Sequence, residues 1–386
     1  MRPSDPGSIV LMLYAHDNRR KLPPNRAMRP TRRPSEPLPF LANRSGPARN
    51  PGYVAALVAV LCLTLYGCAG DEDSGGGRGE LLEVNGSLKE LVWNGTSETL
   101  YGIGEGEERV VEVDPEVLTG VEFDGPRPDA VASTQKVDVG DNLALDPRTP
   151  SKLYLPQPEL GHVRVVRAED PEDLVQTFDA GVPPERVALD RRSDVLFALS
   201  KDGSTVTRVD LAGNDVTAER KFGPGRATRI EAPGEGSGAL WAAGPGGVAL
   251  YGGPSLELVG QTSLDAAGLA VSAQDPERAY VTQPGKGRVA AVEPRSGEGL
   301  GVVDEAEVGG APRLVVTDGV RVYVATDDAV EVLASDDLST VETIELSAFR
   351  GRGPLERVEP SALAVGSDRI YLPLSGEPYV LALDKP

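Results

Sequence analysis

From about residue 81 to the C-terminus, apolar residues fall in short runs broken every few positions by Gly, Pro, Asp or Asn, without helical spacing. The runs recur in one order: an apolar triplet, a strand centred on an aromatic, a V-x-V strand, then a more variable strand. The aromatics are Tyr101, Tyr154, Phe197, Trp241, Tyr280, Tyr323 and Tyr371, spaced 39 to 53 residues apart. Triplets at 91–93, 143–145, 187–189, 269–271, 314–316 and 363–365 each precede an aromatic by six to nine residues. The fourth unit is looser, with Ile230 eleven residues before Trp241. The V-x-V strands begin at Val110, Val163, Val206, Val248, Val289, Val330 and Val380. Turn-formers such as Lys201-Asp202-Gly203-Ser204 fill the gaps.

Seven such units account for nearly the whole region. Short strands at regular spacing predict four-stranded antiparallel sheets repeated radially, an all-β seven-bladed β-propeller. A sandwich has no reason to repeat seven times, and leucine-rich or helical repeats need shorter units or helices. The last unit stops after Tyr379-Val380-Leu381-Ala382-Leu383, one strand short. Leu81, Leu82 and Val84 are expected to supply that strand and close the ring.

The units resemble the YVTN-type surface propeller repeat: a Gly-Pro lead-in, an apolar triplet, a D-G-type turn, an aromatic strand, then V-x-V-x-D. GVPPERVALDRRSDVLFALSKDGSTVTRVDLAGNDV, residues 181–216, and the unit at 310–334 match best. The resemblance implies a propeller fold, found in bacterial surface binding proteins and, on a related frame, in sugar lactonases.

The region before the repeats has a different character. Residues 1–50 carry ten Lys/Arg against three Asp/Glu, and residues 51–67 carry no charge. The expected organisation is a basic disordered leader over 1–52, an apolar signal segment over 53–67, a lipidated cysteine and flexible tether over 68–80, and the propeller over 81–386. The long leader, with Met28 as an alternative start, also reads as over-annotated coding sequence. Leu65-Tyr66-Gly67-Cys68 resembles a bacterial lipobox, with Tyr66 bulkier than the usual occupant, and makes Cys68 the expected site of lipid attachment. An uncleaved apolar anchor and a cleaved secreted form are the alternatives. All three place the body on the extracytoplasmic face of the membrane or beyond it, because basic flanks stay inside.

Charge narrows the chemistry. The formal net charge is −20, so the body after the basic leader is more acidic still. Such a body repels phosphate backbones, which argues against nucleic acid. The only histidines are His16 and His162 and the only cysteines Cys62 and Cys68, so multi-histidine metal or haem sites are excluded, and no cofactor is called for. Asp114, Asp210 and Glu293 at the ends of V-x-V strands read as turn-satisfying carboxylates. Ser200 to Thr205 is similar to the Asp-box of sialidase propellers but lacks one residue and the closing tryptophan. Asp71-Glu72-Asp73 lacks the spacing of a calcium loop.

One pattern points to a ligand. The residue before each innermost strand lies near one rim of a propeller's channel. By register that ring contains Asn142, Arg186, Arg313 and Ser361, with Arg226 or Arg229 from the looser fourth unit and Lys89 from the first. The bland reading pairs each arginine with a neighbouring acid such as Glu185. The functional reading is an anion-selective mouth, because a guanidinium fork binds carboxylate or phosphate bidentately. Two functions follow. The first is a membrane-anchored binding or scaffold module for an unidentified protein or a small anionic ligand. The alternative is a lactonase- or hydrolase-like enzyme with a carboxylate-bound metal in the central channel.

Overall fold

A computed structural model describes residues 79–386 apart from 107–108, 119–130, 235, 298 and 352–354. The leader, the apolar segment, the tether and Cys68 lie outside the described residues. Twenty-eight strands form seven antiparallel four-stranded sheets. Blade 1 is β2 (Leu88–Asn94), β3 (Thr99–Gly104), β4 (Arg109–Val113) and β5 (Val131–Lys136). Blade 2 is β6 (Ala144–Asp146), β7 (Lys152–Gln157), β8 (His162–Arg167) and β9 (Leu174–Asp179). Blade 3 is β10 (Pro184–Asp190), β11 (Val195–Ser200), β12 (Thr205–Asp210) and β13 (Asp215–Lys221). Blade 4 is β14 (Arg229–Glu231), β15 (Leu240–Gly244), β16 (Gly247–Gly252) and β17 (Glu257–Thr262). Blade 5 is β18 (Leu269–Val271), β19 (Ala279–Gln283), β20 (Arg288–Arg295) and β21 (Gly299–Glu307). Blade 6 is β22 (Leu314–Thr317), β23 (Arg321–Ala325), β24 (Ala329–Ala334) and β25 (Thr340–Glu345). Blade 7 joins the two ends of the propeller: β26 (Ala364–Val365), β27 (Arg369–Pro373), β28 (Tyr379–Asp384) and, outermost, β1 (Gly79–Glu83).

The closing strand pairs with β28, as expected. Leu81 stands opposite Leu381 and Leu82 opposite Val380, and the Val84 N–H donates to Pro378 O at 2.9 Å. The first described strand begins at Gly79, two residues before the expected boundary. Each V-x-V strand starts one residue earlier than its leading valine.

Packing explains the repeat. Both faces of each blade are covered by its neighbours, so the second strands read as continuous apolar runs rather than alternating ones. In Val195–Ser200 every residue is buried. Val195, Phe197 and Leu199 pack toward blade 4, and Leu196 and Ala198 toward blade 2. Seven apolar clusters result, one between each pair of adjacent blades. All seven repeat aromatics are buried in them. Polarity rises outward: β13 reads DVTAERK and is almost wholly exposed, its charges discouraging edge pairing with another chain. In blades 1 to 6 the third and fourth strands slip register at the same place, as at Arg208/Val209 and Val332/Leu333. The β1–β28 pair of blade 7 runs without a slip.

In five units the position after the apolar triplet carries a side-chain oxygen that accepts backbone N–H groups. Asn94 Oδ1 accepts the Thr96 N–H, Asp146 Oδ1 the Arg148 N–H, and Ser272 Oγ the Gln274 N–H. Asp190, fully buried, reaches into the next blade and accepts the N–H groups of Gly236 and Gly238, each at 2.8 Å. Gly140 meets a different demand. A Cβ there would lie 2.3 Å from the Glu185 carbonyl oxygen, so blades 2 and 3 can approach only over a glycine.

Candidate functional site

The innermost strands β2, β6, β10, β14, β18, β22 and β26 stand side by side around the axis and enclose a cavity of about 520 Å³. Its lining exposes somewhat more polar than apolar surface: Lys89, Glu90, Arg186, Arg229 and Arg313 stand near the end where these strands begin, and Arg191 follows the end of β10.

At the middle of the wall, each strand sets one residue opposite the second-strand aromatic. These are Val92, Ala144, Ala188, Ala270, Val316 and Ala364, and in blade 4 Glu231, opposite Trp241. Six blades thus place Val or Ala where blade 4 places a carboxyl. Glu231 accepts a hydrogen bond from the Val271 backbone N–H of blade 5. Burial pushes its pKa up from the ordinary 4.5 to about 8, and the nearby Glu90 carboxyl adds to the rise.

At the charged end, Arg186 is the most enclosed cation, its side chain 12% exposed. Burial first, and then repulsion from Arg229, lower its pKa to about 10. Two carboxylates stand near it, Asp141 at 3.7 Å and Glu90 at 4.0 Å, both beyond hydrogen-bond distance. Burial raises the Glu90 pKa, against the pull of Arg186 and Arg229. Lys89 reaches Asp141 at 3.3 Å. Arg313 lines the same cavity but is 60% exposed, with Glu359 3.9 Å away.

The expected ring residues therefore divide. Arg186 and Arg313 line the channel, as does Arg229 from blade 4. Arg226 is exposed in the turn before β14 and is not part of the lining. Asn142 lines the channel, but its amide is spent on the neighbouring blade: Nδ2 donates to Val187 O and Oδ1 accepts from Val187 N–H, both at 2.8 Å. Ser361 does the same at the ring's closure, donating to Leu88 O at 2.5 Å. The acids Glu90 and Asp141, which register reading left out of the ring, are interleaved with the arginines. Register slips between Leu88 and Glu90 and between Pro184 and Arg186 decide which residues turn toward the axis.

The other motifs are structural. Asp210 and Asp114 each accept an N–H two residues on, and Glu293 pairs with Arg278 at 2.7 Å. Asp202 is held by Ser200 and Ser204 inside its own turn, which lowers its pKa to about 2. Trp241 is fully buried, and Trp93 stacks on Tyr371 with ring centroids 5.7 Å apart, across the junction of blades 7 and 1. Among the described residues no group of three or more His, Cys, Asp or Glu side chains is placed to hold a metal ion.

No protein-family model and no curated protein matches the chain. Solved structures do. A chain of the mitotic checkpoint complex superimposes with a TM-score of 0.62 at 12% identity, over 86% of this chain and 99% of that one. Hydrazine synthase of Kuenenia stuttgartiensis gives 0.60 at 15%, over 79% and 97%. The WD40 repeats of RRP9 give 0.58 at 12%, over 79% and 97%. The likeness is one of fold. It agrees with the seven blades counted from the strands.

Proposed function

We propose that this chain is an extracytoplasmic binding protein, a propeller of YVTN type held to the membrane through a lipid on Cys68. Its channel end takes a small anionic ligand or an acidic segment of a protein partner. The observation that carries the ligand reading is Arg186. It is an almost enclosed guanidinium, pressed by a second arginine, facing a cavity, with its nearest carboxylates too far to hydrogen-bond. A carboxylate entering the channel would supply the close bidentate contact that Asp141 and Glu90 do not make. That one of the similar folds belongs to a multi-protein complex is in keeping with a propeller that holds a partner. The anchor reading is supported by the apolar segment and the Leu65 to Cys68 motif.

Both halves are open to test. Titrating the full chain with hexanoate should show binding that is lost in the double variant Arg186→Ala/Arg313→Ala. Equal binding by parent and variant would remove the channel from the reading. Membrane fractionation of Cys68→Ala should find the protein released or held as an unprocessed precursor. Unchanged partitioning and mobility would make the apolar segment itself the anchor.

A further inference from the structure

The channel carries an opposite charge that a purely anionic ligand leaves unused. Arg229 and Glu231 lie two residues apart on β14, hence on one face of the strand and about 7 Å apart along the axis. They stand at successive levels of the wall: Arg229 near Arg186 and Glu90 toward the rim, Glu231 one step further in, level with Val92 and Ala188 and within electrostatic reach of Glu90. Glu231 is thus a half-buried carboxyl at a level of the wall otherwise lined by Val and Ala, held by one backbone N–H; Arg229 stands one level away on its own strand and Arg191 lines the cavity past the end of β10, and among the described residues neither makes a salt bridge to it. A carboxyl of that kind is stabilised in its charged form by an incoming cation.

We infer that the channel takes a small zwitterion, its carboxylate seated against Arg229 and Arg186 and its ammonium group against Glu231. This rests on the reading of the channel as a ligand site and specifies the class of ligand. A monoanion alone would meet the arginines with Glu90 and Asp141 close by and leave Glu231 without a counter-charge. A molecule of both signs, with its charges separated along the axis, matches the wall at both levels. An apolar linker between the charges would lie against the Val and Ala positions. The cavity, at about 520 Å³, is large enough for such a molecule.

The test is calorimetric titration of the full chain at pH 7 with three probes: 6-aminohexanoate, hexanoate and hexylamine. The amino acid should bind about tenfold or more tightly than either single-ended probe. Its binding should release a proton, read as a dependence of the heat on the buffer's ionisation enthalpy, because Glu231 must ionise to pair. In the same buffers at pH 9.5 that release should vanish. Glu231→Gln should erase the preference for 6-aminohexanoate over hexanoate and leave hexanoate affinity in place. Glu231→Ala, which installs the residue found at this position in blades 2, 3, 5 and 7, should do the same. Hexanoate binding as tightly as 6-aminohexanoate to the parent would overturn the zwitterion and leave the anion reading standing. Hexylamine matching the amino acid would overturn it from the other side, and no binding by any probe would remove both readings.

Discussion

Replacing Leu81 and Leu82 together by Ala tests how the ring is held shut. Successive residues of a strand face opposite sides, and here the two sides are different interfaces. Leu81 packs in the cluster between blades 6 and 7, and Leu82 in the cluster between blades 7 and 1. They are 3% and 0% exposed. Each truncation removes about three methylene equivalents, roughly 2.4 kcal/mol of transfer energy, and the unfilled space raises the cost to about 3–5 kcal/mol. Because the side chains lie in separate clusters, the two costs should nearly add, to about 6–10 kcal/mol. That is a large share of the 5–15 kcal/mol typical of a folded domain. Urea unfolding of the full chain, followed by tryptophan fluorescence, is the assay. Trp93 stacks on Tyr371 across the closing junction and reports the event directly. The matching control is Leu258→Ala/Val259→Ala on β17, where both side chains are about half exposed and the loss should stay below about 1 kcal/mol. If the Leu81/Leu82 variant unfolds at the same urea concentration as the control, β1 does not hold the ring, and the closure reasoning fails.

Asn142→Ala should cost about 1–3 kcal/mol in urea midpoint, since it strips both backbone groups of Val187 of their partner, and an unchanged midpoint would mean water replaces the clasp. Asp190→Ala should destabilise more, by about 2–4 kcal/mol, because the N–H groups of Gly236 and Gly238 lose a buried carboxyl acceptor; raised protease susceptibility near Gly236 would show the same change locally. Glu231 sets a pH dependence. Its folded pKa, about 8, lies above the ordinary 4.5, so the folded state binds more protons across that interval and stability falls as pH rises from about 4.5 toward 8. Glu231→Gln should flatten that slope, seen as a gap between the two unfolding midpoints that changes from pH 5 to pH 9, and a constant gap would refute it.

The blades were legible because their physics is local. An aromatic every 45 residues or so, a triplet before it and V-x-V after it mark strands buried on both faces, and the place of β1 beside the last strand followed from counting strands. The charged end of the channel was legible only in part. Arg186 and Arg313 follow from position, but the single-residue slips that turn Glu90 toward the axis depend on pairing that no linear spacing reveals. Asn142 looks like a ligand donor in sequence and becomes a clasp only when Val187 of the next blade stands beside it. Glu231 did leave a trace. The fourth unit lacks its apolar triplet because a carboxyl occupies the middle of it, and the departure from the repeat was itself the signal.

The pairing of β1 with β28 also fixes an order of events. A strand made near the start of the propeller waits for one made at its very end, with about 300 residues between them. Bringing such distant ends together costs roughly 5 kcal/mol of chain entropy, recovered only when both neighbouring interfaces form. During synthesis six blades can be complete while β1 has no partner and the ring stands open. Closure is then the last step, and a ribosome that stops before Tyr379 releases an arc whose two ends cannot meet.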